Sequence, residues 1–317
     1  MAESETVQDV VVVGGGAAGL SAALTLARAR RRVTVVDAGQ PRNAPADGVH
    51  ALLGLEGISP AELLARGRAE VAGYGGEIIA GEVVDVQQAP SGFAVALRDG
   101  TTLSARRLII ATGLIDELPD IPGVREQWGH GVLHCPYCHG WEVRDRRIGV
   151  LATGPMSVHQ AVLFHQWSPQ VLFFAGNSDP APDDRTRLRA LGITIVEGRI
   201  AGLEVADDQV KAVRLADERL LEIDAAVVAT RMIARAEPFA GIGVETTDHP
   251  VGRFIAADET GRTGVAGVWA AGNVTDLSAQ VSAAAAEGAR AAQHLNAELI
   301  MADADRAVAA LAGVAER

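Results

Sequence analysis

The chain has 317 residues, 48% of them apolar, and a formal net charge of −12. That length allows a substantial core and two domains, while the acidic balance repels phosphates and disfavours nucleic acid, an anionic membrane surface or a strongly acidic protein as partner. No run approaches about eighteen apolar residues, and Glu3 and Glu5 stand where a signal sequence carries basic residues, so a cytoplasmic globular protein is expected.

Asp9 to Val13 is a short apolar β-branched run, and Gly14-Gly15-Gly16-Ala17-Ala18-Gly19 follows at once. A helical pattern covers Leu20 to Arg28, and Arg32 to Asp37 reads as a second strand ending in an acid. In that setting Gly14 makes the tight turn, Gly16 lets a pyrophosphate approach the backbone, Gly19 allows close helix packing and Asp37 takes ribose hydroxyls. The glycines alone say little; strand, helix and terminal acid around them make a dinucleotide site.

Residues 39–57, rich in Gly, Pro and Asn, read as an excursion over the cofactor. Pro60 to Tyr74 is predicted helical, with Pro60 near its start and Gly75-Gly76 at its end. Strands are predicted over Glu77 to Gln87, Phe93 to Leu97 and Leu103 to Ile110, the last running into Ala111-Thr112-Gly113.

A proline-punctuated linker leads to His134-Cys135-Pro136-Tyr137-Cys138-His139, which holds both cysteines of the chain. Two thiols three positions apart can close a disulfide, and the flanking imidazoles can carry the proton that thiolate chemistry moves. In a reducing compartment such a pair is redox-active or metal-binding rather than a staple. A zinc site needs two further ligands; His130, His134 and His139 are near, but no second C-x-x-C exists, so metal is the weaker reading.

The first pattern then returns. Arg147 to Leu151 is a strand, Ala152-Thr153-Gly154-Pro155-Met156-Ser157 fills the glycine-rich slot, Val158 to Trp167 is a helix and Val171 to Phe174 the next strand. Ala225 to Arg231 echoes the segment at Ala111, which predicts a second copy of the module inserted in the first. This copy is degraded: Ala152 and Ser157 replace two glycines, Pro155 and Met156 add bulk, and no acid or basic cluster follows Phe174. A variant nicotinamide site using Arg185 or Arg187 is the alternative. Near the end come a strand over Val265 to Ala270, the turn Ala271-Gly272-Asn273-Val274-Thr275-Asp276 and an Ala-rich helix over Gln280 to Asn296. Its N-terminus beside Asp276 suits phosphate and sugar hydroxyls, though an ordinary capped helix reads the same way. Residues 301–317 read as an amphipathic tail with no chemical role.

Taken together, these motifs resemble the low-molecular-weight thioredoxin reductase family over essentially the whole chain. The resemblance implies an α/β fold of two Rossmann-like three-layer nucleotide-binding domains, the second inserted in the first, as in class II pyridine nucleotide-disulfide oxidoreductases. FAD would occupy residues 1–115 and 239–300, with 116–238 as the inserted NAD(P)-binding-like domain. It further implies Gly14, Gly16, Ala18, Gly19, Asp37, Ala111, Thr112, Gly113 and Gly272 against FAD, Asp276 on the ribityl chain and Gln280-Val281 near the isoalloxazine. Cys138 would face the flavin while Cys135 attacks the substrate.

Two departures redirect the reading. His139 stands where thioredoxin reductases carry Asp after the second cysteine, and the nicotinamide fingerprint is lost. Both resemble the dithiol oxidases acting on reduced holomycin and gliotoxin, which share C-x-x-C-H-G and pass electrons through FAD to oxygen. The expected activity is oxidation of a small dithiol to a disulfide with O2 as acceptor, in a homodimer. His139 is the expected acid/base, because an imidazole titrates near neutrality, and His134 is a second candidate assigned mainly to packing. Tyr137 and Trp141 are expected in a substrate pocket or against the flavin. The alternatives are an NAD(P)H-dependent disulfide reductase, a ferredoxin-linked thioredoxin reductase and a non-catalytic dithiol-binding flavoprotein.

Overall fold

A computed structural model of the chain describes residues 7–315. The N-terminal apolar run forms the strand Gln8–Val13, which pairs in parallel with Val33–Asp37 on one side and Thr102–Ile110 on the other. Glu77–Ala80 extends the parallel edge, Val268–Ala270 joins Thr102–Ile110, and Val83–Ala89 with Gly92–Leu97 adds an antiparallel meander. Val10 to Val12 and Leu108 to Ile110 are fully buried, as strands covered on both faces must be, which explains runs without polar alternation.

Helix Ala17–Arg28 and the final helix Val281–Ala315 pack on one face, where Val10, Leu26, Trp269 and Leu295 share a core. They cross at Gly288, where a Cβ would lie 1.9 Å from the carbonyl oxygen of Ala18. Helix Pro60–Gly73 flanks them; the Ser59 hydroxyl accepts the Glu62 amide at 3.2 Å and Pro60 fills the first position, where an N–H has no partner.

The expected second copy is a separate parallel sheet ordered Thr194–Glu197, Val171–Gly176, Ile148–Leu151, Ala225–Val228, Val132–Leu133. Helices Ser157–Phe164 and Pro182–Ala190 belong to it, and an antiparallel sheet over residues 200–222 packs against it through Leu203, Val213 and Ile223. The chain leaves the first module along Leu114–Glu117 and returns along Arg231–Ala234. These two segments pair antiparallel, Met232 opposite Asp116, so both crossings form one ribbon.

Two expectations change, the first being that the run Glu77 to Gln87 forms two strands, Glu77–Ala80 and Val83–Ala89, with different partners. The final helix does not end near Asn296 but runs through Ala315 and absorbs the segment read as a tail, as far as it is described. Asp303 anchors it by ion pairs to Arg31 at 2.7 Å and to Arg106. Ile300, Met301, Val308 and Leu311 remain exposed along it. No helix among the described residues is long and apolar enough to cross a membrane.

Candidate active site

A cavity of about 970 Å³ lies between the modules. Gly14, Gly16, Ala18 and Asp37 line it, as do Ala111, Thr112, Gly113, Gln280 and Val281; from the inserted module come His134, Cys135, Cys138 and His139. Residues scattered over the sequence are therefore gathered at one site. Gly19 is off the wall: a Cβ there would lie 1.8 Å from the Gly14 oxygen, so this glycine serves helix packing.

The first-module wall fits an adenine dinucleotide. Helix Ala17–Arg28 opens onto the cavity with Gly16 at its N-cap, no side chain capping its free amides and no acid in its first turn. A Cβ on Gly16 would meet nothing within 4 Å, so the space there is open. Unpaired N–H groups at a helix start form a seat for a pyrophosphate.

The matching turn of the inserted module is closed by the chain itself. The amides of Thr153 and Gly154 both donate to the Ser157 hydroxyl at 3.1 Å. Arg185 is paired with Asp179 and Glu197 at 2.8 and 2.6 Å, and Arg187 with Asp184 at 2.7 Å. The two arginines weighed for a variant nicotinamide site are thus held by neighbouring carboxylates.

Besides Gly19, two more residues expected on the cofactor lie off this wall. Asp276 does not line the main cavity but a smaller one beside it, and its Oδ1 accepts the amide and hydroxyl of Ser278 at 2.9 and 2.7 Å. Gly272 is buried, its amide donates to Glu287 at 2.9 Å, and a Cβ would sit 2.8 Å from that of Ala18. The 3-10 turn Gly272–Val274 instead turns Asn273 into the cavity wall. Its amide nitrogen donates to the carbonyls of Asp276 and Ala279, leaving its oxygen to offer a ligand.

Cys135 and Cys138 are free, half-buried thiols. The stretch from Pro136 to His139 is one helical turn, with Cys135 at its N-cap and Pro136 at its first position. The two sulfurs become unequal there. The Cys138 thiol beside it, against the effect of burial, holds Cys135 down to about 6, helped by the amides of Cys138 and Tyr137 and the charge of Arg42. The same bond pushes Cys138 up. Cys135 is the thiolate of the reduced pair and Cys138 keeps the proton.

His139 presents both ring nitrogens, buried and without a hydrogen-bond partner, in the cavity wall. Burial lowers its pKa, with Glu142 and Asp47 opposing and His50 assisting. His134 is tied down: its Nδ1 lies 3.2 Å from the Val228 oxygen, and Gln160 donates to the carbonyls of His134 and Val228 at 3.1 and 3.3 Å. Burial lowers its pKa too. Tyr137 lines the cavity and meets Trp167 edge-on at 5.6 Å, whereas Trp141 is exposed and stacks under Arg144 at 4.1 Å, off the cavity wall.

Arg42 and His50 also line the cavity and carried no motif, while Asn273 lay inside the turn motif without a role of its own. Arg42 and His50 sit in the excursion after Asp37, where no periodic pattern marks a side chain's direction. His50 bridges Glu56 at 2.7 Å and Glu142 of the inserted module at 3.6 Å.

Two nucleotide-type modules, a dinucleotide seat and a cysteine pair thus share one cavity. The model of the family described as pyridine nucleotide-disulphide oxidoreductase matches residues 8–288, and the chain belongs to that family, whose flavoproteins bind FAD. It is 40% identical to "Thioredoxin reductase tcpT" of Claviceps purpurea (strain 20.1) over 157 residues, 48% of this chain and 49% of that protein. The chain thus spans about half the length of that relative. It is 30% identical to "Thioredoxin reductase sirT" of Leptosphaeria maculans over 96% of this chain and 98% of that one. The crystal structure of HlmI superposes with a TM-score of 0.93 at 46% identity, covering 98% of both chains. The resemblance read from the glycine fingerprint and the cysteine pair is borne out.

Proposed function

We propose that this chain oxidises a small-molecule dithiol to a disulfide, using the Cys135–Cys138 pair, bound FAD and O2. The observation that carries this reading is the closed second nucleotide turn, with Ser157 on the amides that a pyrophosphate would need, while the cysteine pair shares a cavity with the open first turn. FAD, held by the first-module wall at Gly14, Gly16 and Asp37, would supply the two-electron acceptor, with O2 as final acceptor and hydrogen peroxide as product.

Starting from the oxidised pair, a substrate thiolate attacks the Cys135 sulfur and breaks the bond to Cys138. The second substrate thiol then displaces Cys135, which closes the substrate disulfide and leaves Cys135 and Cys138 reduced. Since Cys138 holds the proton of the reduced pair, it can give up electrons only when a base takes that proton. His139, the next residue, lies in the wall with both nitrogens unpaired and neutral by burial, and takes this role. His134, fixed by Val228 and Gln160, supports the start of the turn.

In this reading residues 1–115 and 239–300 hold FAD, with Asp37 and Asn273 facing it, and 116–238 carry the cysteines. The protein acts in the cytoplasm as a homodimer; exposed Ile300, Met301, Val308 and Leu311 on the final helix support self-association. The test is oxygen uptake by the FAD-loaded protein with a panel of small dithiols. Peroxide equal to the disulfide formed, with NADPH absorbance constant, is expected; consumption of NADPH coupled to disulfide reduction would establish a reductase instead.

A further inference from the structure

The modules also meet at a buried ion pair. Arg42 sends Nε and Nη2 to the two carboxylate oxygens of Asp116 at 2.7 and 2.8 Å, and Thr230 donates to the same carboxylate at 2.7 Å. The Asp116 side chain is only 5% exposed, and against the cost of burial the Arg42 guanidinium and Thr230 keep it ionised. Asp116 lies on the outbound crossing and Thr230 immediately before the return crossing, so the carboxylate that grips the guanidinium is itself held from both segments. A bidentate arginine held by a buried acid is a cation of fixed position.

That cation lines the cavity with both cysteines. The basic groups of that wall are Arg42, Arg235, His50, His134, His139 and His159, with Asp37, Glu82, Asp116 and Glu237 as its acids; His134 and His139 are neutral by burial. Of these, Arg42 is the cation whose charge bears on both sulfurs, favouring the thiolate of each cysteine. Reduction of the disulfide takes up two electrons and, at neutral pH, one proton, which stays on Cys138. One negative charge is left on Cys135. A disulfide whose reduced form is stabilised is the stronger oxidant.

We propose that Arg42 is a positioning residue of the redox pair: fixed by Asp116 and Thr230, it stabilises the charged, reduced form and makes the Cys135–Cys138 disulfide more oxidising towards thiols. This concerns the pair itself and holds whichever way electrons flow, so its failure and that of the oxidase reading are separable.

The experiment compares the FAD-loaded parent with Arg42→Gln, Arg42→Lys and the double variant Arg42→Gln/Asp116→Asn, which leaves no unpaired buried carboxylate. Two quantities are read: the pH profile of iodoacetamide alkylation of the reduced protein, and the dithiol–disulfide equilibrium against glutathione. For Arg42→Gln and the double variant, the thiolate fraction at a pH below the midpoint should fall about tenfold, and the disulfide should become more reducing by about 30 mV for each tenfold change in equilibrium constant. Arg42→Lys, which keeps the charge and loses the fork, should recover to within about threefold of the parent. If Arg42→Gln does not fold, the double variant decides. Profiles coinciding with the parent, or Arg42→Lys as impaired as Arg42→Gln, would overturn the proposal and leave Arg42 a clasp between modules.

Discussion

Cys135 caps a helical turn and Cys138 sits inside it, and this difference decides which sulfur carries charge. Alkylation of the reduced protein should show one midpoint near 6, from Cys135, with Cys138 unreactive through the neutral range. Peptide mapping of the alkylated protein at pH of about 7 checks this, and equal labelling of both would contradict it. His139 has a different readout. Its replacement by Gln should slow flavin reduction by a dithiol roughly a hundredfold without changing FAD content, as expected for a lost general base. Both His134 and His139 are held neutral by burial, so their folded pKa values lie below the unfolded one of about 6.5. As pH falls below about 6.5 the unfolded chain takes up their protons before the folded one does. Stability from these groups is therefore complete above that value and lost on acidification. Urea midpoints at pH about 7.5 and 5.5 should show this loss, and His134→Gln should reduce it.

At the scale of elements, Gly288 decides how closely the final helix crosses Ala17–Arg28, the helix that opens on the dinucleotide seat. Alanine favours a helix over glycine by about 1 kcal/mol, but its Cβ would lie 1.9 Å from the Ala18 oxygen, and overpacking costs about 1–3 kcal/mol. Because the contact is with backbone, the clash should win: Gly288→Ala is expected to lower the urea midpoint and weaken FAD retention, and an unchanged midpoint would contradict the crossing. The strands and first helix of this module were legible because apolar runs, glycines and a terminal acid are local signals. The extension of the last helix through 301–315 was not, since Asp303 docks it to Arg31 and Arg106, far away in sequence. Nor could the turn at Ala271 reveal which side chain faces the ligand; a 3-10 turn sends Asn273 to the cavity and Asp276 to Ser278. Ser157 was legible as a missing glycine, but not as the acceptor that closes two amides.

For the whole molecule, both crossings between modules are paired in one ribbon and clasped by Arg42, Asp116 and Thr230, with the cysteines already on the cavity. A reductase that draws electrons from a nicotinamide must move one module to exchange disulfide for cofactor; the dithiol oxidation proposed above carries no such requirement. The exposed stripe of Ile300, Met301, Val308 and Leu311 gives a molecular-scale expectation as well: Val308→Glu with Leu311→Glu should shift a dimer towards monomer in sedimentation equilibrium, and an unchanged dimer would move the interface elsewhere. The direction of electron flow is tested most directly by mixing the FAD-loaded protein anaerobically with a small dithiol, NADPH or NADH and following flavin absorbance. Rapid bleaching by the dithiol alone, reversed on admitting O2, is the predicted result, and rapid bleaching by NADPH or NADH would contradict it.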